Sequence, residues 1–209
     1  MTDNDMIELK KFINTIGAVL GNAVEKLGGE SSDDLSRSVM LDMIQFLMFL
    51  AASDNEITWD ETDLINRISD IPWTPGLIGK YIRDKDIYSV RFEKTVPPTF
   101  GMLVGVEGII NKLSNTNITL SANMLNIYRL LGKDFLRLSN ENKVATENYR
   151  SYISMMEEYL AEHNSESNES AKGFTKTGAE DNSTGKDVKV QPDVASNDDD
   201  LGVEAPKKG

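Results

Sequence analysis

Met43-Ile44-Gln45-Phe46-Leu47-Met48-Phe49-Leu50-Ala51-Ala52-Ser53-Asp54-Asn55-Glu56-Ile57-Thr58-Trp59-Asp60-Glu61 decides the fold of this chain. From Met43 to Ala52 only Gln45 is polar. A helix that is apolar on every side belongs in the middle of a protein. The apolar run ends in a short acidic turn, and Thr58 then stands three residues before Glu61. That spacing is a capping box: each side chain satisfies a backbone N–H that a helix start leaves open. The stretch therefore predicts a buried central helix, a turn and a second helix opening at Thr58.

Working outward, Met6, Leu9, Ile13, Ile16, Leu20, Val24 and Leu27 recur at spacings of three and four. They predict one amphipathic helix over about 5–27, stopped by Gly28-Gly29. Gly17 and Gly21 make a small-xxx-small step on it, suited to close packing of two helices. Ser31-Ser32-Asp33-Asp34 supplies start residues for the central helix, which should run to about Ser53. Asp70-Ile71-Pro72-Trp73 breaks the helix begun at Thr58. Thr74 before Pro75 then opens a short one to about Arg83. Residues 84–98 read as irregular. Phe100, Leu103, Val104, Ile109, Ile110 and Leu113 are read as the next buried stripe, interrupted by Gly101, Gly105 and Gly108. Two longer helices follow, marked by Leu125, Tyr128, Leu131 and Phe135, and by Ala145, Tyr149, Tyr152, Ile153, Met156 and Leu160. No segment sustains the polar–apolar alternation of a strand, so the expectation is an all-α bundle over residues 1–163.

Residues 164–209 differ in kind. They are rich in Ser, Asn, Asp, Glu, Lys and Gly, with isolated apolar residues. Such a segment buries too little surface to offset its ordering entropy, and we expect a disordered acidic tail. It carries 10 acidic and 6 basic side chains of the chain's 34 and 22, so tail and domain share the net charge of −12. Phosphate polyanions attract Lys/Arg-rich faces, so no nucleic acid partner is expected. There is no cysteine and His163 is the sole histidine. Thiolate metal sites, a cysteine nucleophile, a Ser–His–Asp triad and a two-histidine centre are thereby excluded. No apolar run nears the roughly 20 residues that cross a bilayer. The start, Met1-Thr2-Asp3-Asn4-Asp5, is acidic where a signal peptide is basic, so cytoplasmic residence is expected.

Ala51 to Glu61 resembles the TerB-like family, named for tellurite resistance. Its pattern is an apolar helix, then Asp-Gly-x-Ile, then a helix opened by Ser/Thr with Glu three residues later. Asn55 stands at the Gly position, and asparagine tolerates a left-handed backbone. The segment Leu130–Asn140 echoes the layout without an Asp-Gly-x-Ile. The resemblance spans about residues 5–162. It implies an all-helical domain of about seven helices with no enzymatic activity of its own, in a family whose members occur alone or joined to stress-response, chaperone or ATPase modules. Some relatives are thought to hold a divalent metal on acidic residues.

The one candidate site is therefore Asp54, Glu56, Asp60 and Glu61, four carboxylates within eight residues. Oxygen ligands at that density suit Ca²⁺, Mg²⁺ or Mn²⁺. An EF-hand fits poorly: counted from Asp54, position six is Trp59 and position twelve Ile65. The same residues have structural uses, with Asp54 closing the turn, Glu61 completing the cap, and both Asp60 and Glu61 favoured at a helix N-terminus. Trp59 and Trp73 are expected to be buried, and Met40, Met43 and Met48 to pack in the core. Lys80, Arg83, Lys85 and Arg91 form the densest basic patch, broken by Asp84 and Asp86. The glycines at 101, 105 and 108 lack the strand and Lys-Ser/Thr ending of a phosphate loop. The leading expectation is a non-enzymatic module acting on a protein partner, with the tail as tether. A divalent-metal sensor or buffer is the alternative, and a two-carboxylate hydrolase lacks a spacing that would align its pair.

Overall fold

The computed structural model describes residues 1–28, 35–53, 56–69, 71–88, 92, 94–139 and 142–174, the last eleven as backbone only. Among the described residues the chain forms seven helices and no strand. They are α1 (Asp3–Lys26), α2 (Leu35–Ala51), α3 (Trp59–Ile68), α4 (Pro75–Asp84), α5 (Pro98–Ser114), α6 (Leu120–Leu138) and α7 (Lys143–Phe174).

The apolar stretch of α2 does what its composition demands. Val39, Met43, Ile44, Phe46, Leu47, Met48, Phe49, Leu50 and Ala51 are all buried, and α2 touches each of the other six helices. Phe46 packs against the rings of Tyr128 on α6 and Tyr152 on α7. Of the three methionines, Met43 and Met48 are fully enclosed and Met40 packs at the core's edge. On α1, Met6, Leu9, Ile13, Ile16 and Leu20 face inward as the spacing predicts, whereas Leu27 is exposed. Leu27 is the C-cap, and Gly28 behind it takes φ +80°, so the stripe ends where the helix does. Gly17 lets α1 meet the start of α2: a methyl there would sit 2.7 Å from the Ser36 backbone nitrogen.

Helix starts follow two regimes. The first, third and fourth helices are capped by their own neighbours. Thr2 and Asp5 form a capping box on α1, as Thr58 and Glu61 do on α3, and Thr74 caps α4 with Pro75 behind it. The fifth and sixth are capped from elsewhere in the fold. Pro97 offers α5 no side-chain bond, and Asp42 of α2 takes the Thr99 N–H (2.9 Å) and hydroxyl (2.7 Å) instead. Glu107 of α5 is buried and accepts the Ser121 N–H of α6 at 3.0 Å.

Three expectations need correction. At about 100° per residue Ile109 lies half a turn from Phe100, so α5 cannot bury both. Phe100, Leu103, Val104 and Glu107 face the core, while Ile109 and Leu113 point outward. Trp59 is 70% exposed, because the first residue of α3 projects ahead of the packed turns. Trp73 is half-buried, with its Nε1–H on Ser69 and its ring edge-on to Tyr81. Last, α7 runs on to Phe174, past the boundary expected at residue 163. An established helix gains a hydrogen bond for each residue it adds, so polar residues can extend it. The rest of the expected tail, residues 175–209, lies outside the described residues, as do the start residues at 31–34 and Arg91 of the basic patch.

Candidate functional site

The acidic turn precedes α3. Asp54 lies outside the described residues. Glu56 and Asp60 are exposed, whereas Glu61 is only 1% exposed. Glu61 Oε2 accepts the Thr58 N–H at 2.9 Å, and the Glu61 N–H donates to Thr58 Oγ1 at 3.2 Å. The buried carboxylate of the candidate set is thus engaged in closing the helix. Among the described residues no three acidic or histidine side chains gather as a metal group would. What the described part of the turn offers to solvent is two carboxylates, Glu56 and Asp60, with the Trp59 indole between them in sequence.

The outer face of α5 is a second site that the expected stripe obscured. Met102, Ile109 and Leu113 are exposed, Leu113 by 82%, with Val106 half-buried beside them. Offsets of three, four and seven put these residues on one side of the helix. Gly105 belongs to the same face, and a methyl built on it would meet nothing within 4 Å. Lys112 is the only charged residue that α5 itself exposes. A helical wheel drawn through Phe100 would have revealed this face from the sequence.

A third feature lies where α2, α5 and α7 meet. Asp42, Lys85, Val96, Pro97 and Tyr152 are among the residues lining a cleft of about 300 Å³ there. Burial raises the Asp42 carboxyl above its ordinary range, against the lowering effect of the two Thr99 hydrogen bonds. Burial, and then the Asp42 charge, push the phenols of Tyr128 and Tyr152 upward. Sequence reasoning had no signal for this group, because its members lie far apart in the chain.

No family model, curated protein or solved structure matches this chain. No helix among the described residues is long and apolar enough to cross a membrane.

Proposed function

We propose that the chain is a non-catalytic, TerB-like helical module that binds a protein partner through the outer face of α5. The observation that supports this reading most directly is the exposed row Met102–Ile109–Leu113. Contiguous exposed apolar side chains cost hydration free energy until something covers them. A helix face with anchors three, four and seven apart suits a partner's apolar helix or groove. Gly105 adds to the case, since glycine in a helix interior costs about 1 kcal/mol against alanine and nothing inside this bundle requires it. A partner backbone lying close across α5 would. The acidic residues 175–209 would serve as tether, and the cytoplasm as the setting.

The test is affinity purification with the full chain, followed by identification and reconstitution of the captured protein. Ile109→Asp with Leu113→Asp should abolish binding of the reconstituted partner while the circular dichroism stays helical. Undiminished binding by the double variant would sink the assignment to α5. Loss only on removal of residues 175–209 would move the contact to the tail.

A further inference from the structure

We propose that the cleft between α2, α5 and α7 binds a small organic monocation, its ammonium group on Asp42 and its apolar body on Tyr152, Val96 and Pro97. Three observations converge on this occupant.

The first is unspent hydrogen-bonding capacity. Both Thr99 bonds reach Asp42 Oδ2, and among the described residues no hydrogen bond reaches Oδ1. A carboxylate accepts on both oxygens, so Oδ1 has room for a further donor. Tyr152, which lines the same cleft, is 2% exposed, and among the described residues no hydrogen bond reaches its hydroxyl. Its ring packs on those of Phe46, Phe49 and Phe92.

The second is charge. Among the described residues the titratable groups lining the cleft are Asp42, Asp86, Lys85 and Tyr152. Among these described groups two acids stand against one base, and among the described residues no basic side chain lies within ion-pair distance of Asp42. An ammonium group supplies the missing cation. It would donate to Asp42 Oδ1, with the Tyr152 oxygen as a further acceptor lining the same cleft, and charge-assisted bonds to a carboxylate are the strong ones.

The third is shape. Val96, Pro97, Pro98 and the Tyr152 ring make the wall apolar beyond the carboxylate. A cleft of about 300 Å³ stands at the small end of ligand pockets. It suits a single ring or short alkyl chain with one amine.

Benzylamine is the probe, with benzyl alcohol and benzoate as uncharged and anionic controls, titrated into the full chain and followed by amide NMR. Benzylamine should saturate, with shifts concentrated on residues 42, 85–88, 94–99 and 152, and the controls should not. Asp42→Asn keeps an acceptor for Thr99 and should weaken binding about tenfold, the scale of one lost charged hydrogen bond. Tyr152→Phe should also weaken it. Exposed Lys85→Glu leaves the fold alone and should tighten binding, more so at low salt. This last variant decides the matter if Asp42→Asn fails to fold. Absence of saturation, equal binding of benzyl alcohol, or indifference to Lys85→Glu would each overturn the proposal.

Discussion

α2 and α5 each have 17 residues, and both are mostly apolar, yet the bundle treats them in opposite ways. α2 is enclosed by six neighbours and buries nine residues. α5 buries five, two of them polar or charged, and turns Met102, Ile109 and Leu113 outward. Apolar content alone therefore does not place a helix at the centre. What separates the two is where the polar groups fall. Glu107 sits on the inner side of α5, where the start of α6 needs an acceptor, and Gly105 sits on the outer side. In α2 the one carboxylate, Asp42, lies where it can hold the start of α5.

The contrast is broken most severely at its buried end. Phe46→Ala removes a fully enclosed ring from between Tyr128 and Tyr152, and should cost about 3–5 kcal/mol in urea unfolding. A loss no larger than that of a surface substitution would mean that α2 is not the centre of the core. Gly17→Ala attacks the seam between α1 and α2. The Ser36 hydroxyl it would strike first can rotate aside, but the Ser36 backbone nitrogen and Cα behind it cannot, so overpacking should cost about 1–3 kcal/mol.

Asp42, the link between the two helices, should reveal itself through pH. Its carboxyl titrates higher in the folded chain than in the unfolded one, chiefly through burial. Between those two values the native state holds the proton more often, so raising the pH through that window lowers stability. Asp42→Asn keeps the acceptor and loses the titration. Relative to wild type, its urea midpoint should improve on going from pH 3 to pH 7, and a constant difference would remove the argument. The smallest effect belongs to α5. Gly105→Ala should stabilise the free chain by about 0.5–1 kcal/mol while weakening any complex formed across that face. Destabilisation of the free chain would show that Gly105 serves the bundle itself.

Much of the candidate turn was legible beforehand. The Thr58–Glu61 box formed as its spacing predicted, because a cap depends on four consecutive residues. The Thr2–Asp5 box on α1 has the same three-residue step but carries Asp where the sequence signature has Glu or Gln. The outward turn of Ile109 and Leu113 was also present in the helical period. The cleft at Asp42 was not, since Asp42, Thr99 and Tyr152 approach one another only when three helices pack.

By itself, the order of residues determined that this chain is helical, where most helices begin and stop, and that α2 is the one to be enclosed. These are consequences of periodicity, of caps and of unbroken apolarity, which act over a few residues. Tertiary structure alone decided which carboxylates leave solvent to hold distant helix starts and where a cleft opens. Those outcomes depend on which surfaces meet, and contacts between segments far apart in a chain leave no local pattern in it.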